Sequence, residues 1–329
     1  MYHSFYGLTE HPFDLTSDLK FLLLTAKHQE ALAHLEYGTS VGTGITLLIG
    51  EAGTGKTTLL RRVLASKHPL AQARFVLLTN PALNRYEFYD CLADGFHLSS
   101  TAARSKAVFL RELEQALVRE LQHPASEIPR VLVIDEAQSL SDELLEEVRL
   151  LANIELETQK LLRVVLAGQP ALADRLNEPG LRQLKQRVGL RCRLDPLDLN
   201  ETATYIAHRI SVAGGAPGSA FSREAVMAIH EQSGGVPRTI NVICENALLT
   251  GYAAGHRPVG LKIVREVCGD LDLQPRQDST VRSRMQIEAM PKSTMFRLPG
   301  SVGPQPVDDT RTPSGGRFPS FPYLRWGRR

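Results

Sequence analysis

GITLLIGEAGTGKTTLL, residues Gly44 to Leu60, joins an apolar run to a glycine-rich turn and then to a leucine-bearing segment. The run Ile45, Leu47, Leu48, Ile49 reads as a buried strand, and Thr57 onward reads as a helix. Between them lies the spacing G-x-x-x-x-G-K-[ST], with Gly50, Gly55, Lys56 and Thr57 at the fixed positions. Glycines at 50, 53 and 55 let the backbone turn tightly and bring its N–H groups close to phosphate oxygens. The helix that starts there turns its positive dipole end towards the same anion. Residues Gly50, Glu51, Ala52, Gly53, Thr54, Gly55, Lys56, Thr57 and Thr58 are therefore candidates for holding a nucleotide. Lys56 is placed to reach the β- and γ-phosphates, and the Thr57 hydroxyl to ligate Mg²⁺.

Further along, VLVIDE ends an apolar strand, Val131–Ile134, in the paired carboxylates Asp135 and Glu136. An acid at a strand's carboxyl end can hold Mg²⁺, and its neighbour can take a proton from water attacking the γ-phosphate. Asp135 is the metal candidate beside Thr57, and Glu136 the catalytic base. A base in this position points to ATP hydrolysis and away from a kinase acting on a small molecule. The next strand ends in VVLAGQP, where Gln169 can position the attacking water. The segment LRQLKQR carries Arg182 and Arg187, either of which can reach into a neighbouring subunit's site, position favouring Arg187. GGVPR places Arg238 at a helix start, where it can fold onto the γ-phosphate and couple occupancy to domain movement.

These motifs sit on an alternating pattern. Strands are expected at Gly44–Ile49, Arg74–Thr79, Val131–Ile134, Arg163–Ala167 and Leu190–Leu194. Helices are expected at Thr57–Ser66, Arg85–Gly95, Ala103–Gln122, Ser141–Glu155 and Gly180–Arg187. Alternation of this kind predicts a parallel sheet covered by helices on both faces, over residues 44–196. Residues 1–43 precede it, with a helix over His28–Tyr37. Residues 197–273 carry only helical patterns, at Asn200–Ala213, Ser222–Gln232, Pro237–Ala254 and Leu261–Leu271, and read as a small all-helical domain. From 275 to 329 there are eight Pro, five Gly and ten Lys/Arg against four Asp/Glu. That composition cannot bury enough apolar surface to fold alone, so 274–329 reads as a disordered basic tail.

The chain has 329 residues, 43% hydrophobic and 22% charged, with a net charge of +2. It is ordinary for a globular protein, and its overall charge selects no partner class. No stretch reaches the ~18 apolar residues a membrane span needs, and the first residues lack the pattern of a secretory signal. A cytoplasmic location is the expectation. The cysteines, Cys91, Cys192, Cys244 and Cys268, form no C-x-x-C pair and read as buried free thiols. One nucleotide domain excludes the helicases suggested by the letters DEAQ, which need two in tandem.

With these pieces assembled, the chain resembles the AAA+ ATPases, and most of all the group typified by general secretion pathway protein A, related to ATPases of DNA transposition. The resemblance covers roughly residues 1–270. It rests on MYHSFYGLTEHPFDLT with FLLLTAKHQEALAHLEYG, on GEAGTGKTT and VLVIDEAQ, and on LAGQPAL, LRQLKQR and GGVPRTIN. It implies a P-loop core of five parallel strands in order 5-1-4-3-2, a helical lid, and ATP with Mg²⁺ between them. It also implies homo-oligomers, in rings, with the site at the subunit junction. The family's opening segment packs near the adenine, which makes Phe13, His28 and Tyr37 candidates for that pocket. Two departures stand out. Ser17-Asp18-Leu19 lacks the signature's second proline. The group's membrane span and peptidoglycan-binding module have no counterpart in the basic tail, so the expectation is the cytoplasmic ATPase part alone. Two roles are implied. One is a switch or motor acting through a protein partner in secretion, envelope or polysaccharide export, peripheral at the inner membrane. The other is a nucleic-acid-associated ATPase of the transposition type, to which the basic tail adds phosphate-neutralising charge.

Overall fold

The computed structural model describes residues 2–41, 44–65, 74–79, 81–121, 130–156 and 159–273. The basic tail from 274, Ser66 and Gln122 lie outside them. Five parallel strands build one sheet: β1 (Ile45–Gly50), β2 (Arg74–Leu78), β3 (Arg130–Ile134), β6 (Leu162–Gly168) and β7 (Val188–Leu194). Their order is β2-β3-β6-β1-β7, which is the expected 5-1-4-3-2 when the five are counted in sequence. β1 lies between two strands that come late in the chain, so its carboxyl end opens at a switch in strand order, where α/β sheets bind ligands.

Each central strand sends alternate residues to opposite layers, as a period-2 pleat requires. Ile45, Leu47, Leu132, Ile134, Val164 and Leu166 share a core with α4 (Arg85–Gly95), α5 (Lys106–Leu121) and α6 (Asp142–Leu151). Leu48, Val131, Val133, Val165 and Ala167 face α2 (Ala26–Val41) and α3 (Lys56–Leu64), through Ala31, Leu35, Leu59 and Val63. The helix starts follow from local chemistry. Asn84 and Glu87 form a reciprocal capping box on α4, and Ser141 caps α6 through Leu144 N.

A second core gathers α9 (Leu199–Val212), α10 (Arg223–Ser233), α11 (Pro237–Ala253) and α12 (Leu261–Asp270). Asp198 and Glu201 box the start of α9, and Ser222 caps α10. Tyr2, Tyr6, Leu8, Phe13 and Phe21 belong to this helical core, whereas Ala31 and Leu35 belong to the sheet. The opening segment is thus shared between the two. Its first residues form a short helix, α1 (Tyr2–Tyr6), too brief for a periodic signal.

Several expectations are corrected. The helix expected over Ser141–Glu155 stops at Leu151, and an antiparallel hairpin follows, β4 (Glu155–Leu156) with β5 (Gln159–Lys160). Its pairing of Glu155 opposite Lys160 is closed by an ion pair. Ser105, in extended conformation, separates a 3₁₀ turn at Ala102–Arg104 from α5. The helix expected over 180–187 is instead a 3₁₀ turn at Pro179–Leu181 followed by α8 (Arg182–Gln186), and the sequence pattern gave no sign of the short α7 (Pro170–Arg175) before it; Pro170 and Pro179 fix φ at the starts of α7 and of the turn. Cys192, Cys244 and Cys268 are buried, but Cys91 on α4 is exposed.

One polar knot ties α4, α5 and α6 together. The buried Glu147 carboxylate accepts from Arg85, Tyr89 and Lys106, each at 2.6 Å. Burial pushes its pKa up. The bonds from Lys106 and Tyr89, with the charges of Lys106 and Arg85, outweigh this and leave it below the ordinary carboxylate value. Glu147→Ala leaves the buried Tyr89 hydroxyl without its acceptor, while the half-exposed Arg85 and Lys106 turn to water. The expected cost is about 1–3 kcal/mol in urea unfolding. The parent's advantage over the variant is full above the unfolded carboxyl's pKa and fades as pH falls through the lowered folded value. A parent-to-variant difference that grows on acidification contradicts this.

Candidate active site

The loops that follow the carboxyl ends of β1 and β3 meet the helical core across one cleft of about 350 Å³. This lies at the lower end of the size range of small-molecule sites. Its floor is the loop from Ala52 to Thr58. Gly53 and Gly55 have φ of +83° and +98°, conformations that L side chains rarely adopt. A Cβ on Gly53 would come within 2.7 Å of the Arg238 Cβ, so the close approach of the helical domain also requires glycine. α3 begins at Lys56, one residue before the sequence suggests, and its first turn carries no acidic residue.

Lys56 is buried, and its ammonium donates to the carbonyls of Gly50, at 2.8 Å, and Glu51, at 3.0 Å. Burial pushes its pKa down, with the charges of Glu136, Asp135 and Glu51 opposing. The Thr57 hydroxyl donates to Asp135 Oδ2 at 2.5 Å, joining positions 78 residues apart. Asp135 is held in turn by its backbone, whose N–H donates to the Leu78 carbonyl. These oxygens fit Mg²⁺, a hard cation that takes one or two protein oxygens and completes its shell with phosphate and water. Among the described residues no cluster of three or more His, Cys, Asp or Glu could hold a metal by itself.

Glu136 lies at the rim, with φ +52° and ψ +38°, a left-handed backbone that costs a non-glycine residue on the order of 1 kcal/mol. Its N–H donates to Asp135 Oδ1 at 2.9 Å. Its own Oε2 accepts from Gln138 at 2.5 Å and from Gln169 at 3.3 Å. The Gln169 N–H in turn donates to Gln138 Oε1 at 3.0 Å. Gln138 thus joins the base to the end of β6, a part that sequence reasoning missed although it closes the quoted DEAQ.

Arg238 lines the cleft from the first turn of α11, and its backbone N–H donates to the Gly53 carbonyl at 3.2 Å. The start of a second helix therefore faces the phosphate loop. Arg182 and Arg187 do not line this cleft and are exposed. The Arg187 carbonyl accepts from Ile45 N, at the amino end of β1. That end is separated from Gly50 by roughly 17 Å of strand.

The far wall was not legible. Residues 15–18 and 21–23, with Leu197, Tyr205, Arg209 and Asn241, complete it. Of the adenine-pocket candidates only His28 lines the cleft, and its Nε2 would lie 3.6 Å from a Cβ on Gly55. Its Nδ1 pairs with the Thr25 hydroxyl at 2.9 Å. Burial lowers its pKa, against a hydrogen bond to the Thr54 backbone and the charge of Glu201. Phe13 is instead core, edge-on to Phe221 at 6.1 Å, and Tyr37 is exposed on α2.

A family model described as an AAA domain matches residues 39–176. The chain is 37% identical over 282 residues to General secretion pathway protein A of Aeromonas hydrophila, an alignment covering 86% of this chain and 49% of that protein. It therefore spans about half the length of this curated relative. Among solved structures, Cdc6p of Pyrobaculum aerophilum matches with a TM-score of 0.57 at 18% identity, over 78% of this chain and 69% of that one. The Aeropyrum pernix ORC2 protein, solved as ADPNP–ADP complexes, matches with a TM-score of 0.58 at 17% identity, over 86% and 75%. At these identities the likeness is one of fold. No helix among the described residues is long and apolar enough to cross a membrane.

Proposed function

Because this chain is an AAA+ protein related to general secretion pathway protein A, we propose that it hydrolyses ATP to ADP and phosphate and uses the cycle to drive a protein partner. The observation that carries the reading is the convergence of Thr57 and Asp135 at 2.5 Å, with Glu136 next in the chain and lining the same cleft. In the proposed reaction the backbone amides of residues 52–57 and the Lys56 ammonium hold the phosphates. Thr57 and Asp135 would hold Mg²⁺, which, when bound, neutralises charge on the β- and γ-oxygens. Glu136 takes a proton from the attacking water on its carboxylate, which Gln138 and Gln169 keep in place by donating to Oε2. The new bond forms between the water oxygen and the γ-phosphorus, the bond to the bridging oxygen breaks, and ADP leaves with that electron pair. Arg238 senses the γ-phosphate from the lid.

Arg187 cannot serve its own chain's phosphates, because its backbone pairs at the opposite end of β1. This supports a role across a subunit junction. Chains carrying Glu136→Gln and chains carrying Arg187→Ala are each expected to be inactive alone. Mixed, they regain turnover, because about one junction in four pairs an intact base with an intact arginine. No recovery on mixing, with recovery in the matching Arg182→Ala experiment, moves the role to Arg182.

The named relative supports a partner in secretion or another envelope process, with the chain at the cytoplasmic side of the inner membrane. The ten Lys/Arg of residues 275–329 favour a second reading, a DNA-associated ATPase. Phosphate release in Mg²⁺ buffer, with and without DNA at two salt concentrations, separates the two. Stimulation by DNA that fades with salt supports the second reading, and turnover indifferent to DNA supports the first. No Mg²⁺-dependent phosphate release under any assembly condition contradicts both.

A further inference from the structure

Arg209 on α9 is a buried cation, 5% exposed, for which no ion pair forms among the described residues. Its donors go to neutral oxygens instead. Nε donates to the Pro12 carbonyl, Nη2 to the Asp14 carbonyl at 3.1 Å, and Nη1 to the Tyr205 hydroxyl at 2.7 Å. The guanidinium carbon lies 4.7 Å from the Phe21 ring centroid, 5.5 Å from that of Tyr205 and 5.9 Å from that of Phe13. A planar fork with five N–H donors suits this combination of carbonyls and ring faces, and an ammonium does not. Tyr205 passes the connection on, donating to Asn241 at 3.0 Å, one turn along α11 from Arg238. One chain of contacts therefore runs from the opening segment, through Arg209, to the helix that meets the phosphate loop.

The packing divides at two points. Leu23 packs on the helical core and Leu24 on the sheet. Leu194 belongs to the sheet core and Leu197 to the helical one. Residues 2–23 and 197–273 thus share a core that two short crossings, Leu23–Leu24 and Asp195–Pro196, connect to the sheet. The wall of residues 15–18 and 21–23 lies on the lid's side of that division, while the phosphate loop and His28 lie on the other.

We propose that Arg209 is a positioning residue that fastens residues 2–23 to the lid, so that this wall and the lid close over the nucleotide as one body. The nucleotide part of this statement rests on the function proposed above, but the fastening does not. Full-length parent, Arg209→Lys and Arg209→Gln chains are compared by hydrogen–deuterium exchange without nucleotide and by steady-state kinetics with Mg-ATP. In both variants, amides of residues 2–23 are expected to exchange at least about tenfold faster, while those of β1, β3 and β6 keep the parent's protection. The KM for ATP rises about tenfold or more in Arg209→Gln and less in Arg209→Lys, with kcat within about threefold of the parent. Unchanged exchange of residues 2–23 in Arg209→Gln overturns the proposal, and so does faster exchange with an unchanged KM. A parent that neither binds nor cleaves ATP defeats the functional reading, and the exchange comparison then decides the fastening alone. Loss of protection throughout the sheet in Arg209→Gln makes Arg209→Lys the deciding variant, with the same two overturning results.

Discussion

Glu136→Gln is expected to bind ATP within a few-fold of the parent and to lower kcat by at least about 100-fold, the lower end of what a positioned base supplies. The amide keeps the shape of the carboxylate, and the carbonyl oxygen can still accept from Gln138 and Gln169, whose side chains lie 2.5 and 3.3 Å from Oε2. What is lost is the capacity to take the proton of the attacking water. The left-handed backbone at this position tolerates Gln as well as Glu, so the fold is not at stake. Steady-state phosphate release with a parallel nucleotide-binding titration checks the prediction. Turnover close to the parent's in the variant removes Glu136 from the mechanism.

Lys56→Ala is expected to lose ATP binding rather than turnover alone. The ammonium is buried, and in this structure the loop carbonyls of Gly50 and Glu51 receive it. Triphosphate oxygens offer a charged acceptor in place of those neutral ones, and hydrogen bonds to charged groups are roughly twice as strong. The same burial that pushes the Lys56 pKa down makes a phosphate's negative charge the better partner for it. Without the ammonium, the carboxylates of Asp135 and Glu136 face the γ-phosphate with no protein cation beside them on the loop. A fall in affinity of about 100-fold or more is expected, worth about 3 kcal/mol. Titration calorimetry measures it. Affinity within threefold of the parent, with only kcat reduced, would assign Lys56 to the chemical step instead.

Much of the sheet was legible because its strands are apolar runs that end abruptly in chemistry. ITLLIG ends in the glycine loop, and VLVI ends in two acids. Strand order is a different matter. Nothing in the periodicity says that β1 lies between β6 and β7, and that expectation came from resemblance. Boundaries went wrong where a few residues overrule a longer pattern. Ser105 and the turn before Glu155 cut helices short although the apolar spacing continues across them.

The site was legible in its local parts and hidden in its distant ones. The loop at 50–58 and the pair at 135–136 carry their chemistry in consecutive residues. Tyr205, Arg209 and Asn241 lie on faces of α9 and α11 that bury apolar neighbours, and their spacing reads as ordinary helix. Arg209 in particular looks like a solvated charge until the carbonyls of Pro12 and Asp14, some 195 residues earlier, are seen against it. Phe13 illustrates the converse. A conspicuous aromatic in the opening segment proved to be core, because the segment folds into the lid.

The most direct test is the fate of a single bound ATP. Parent chain is loaded with γ-labelled ATP in chelator, separated from free nucleotide, and given Mg²⁺. The account predicts one labelled ATP per chain, then release of labelled phosphate from the parent and retention of intact ATP by Glu136→Gln. A parent that binds no ATP, or a Glu136→Gln chain that releases phosphate as fast as the parent, would contradict it.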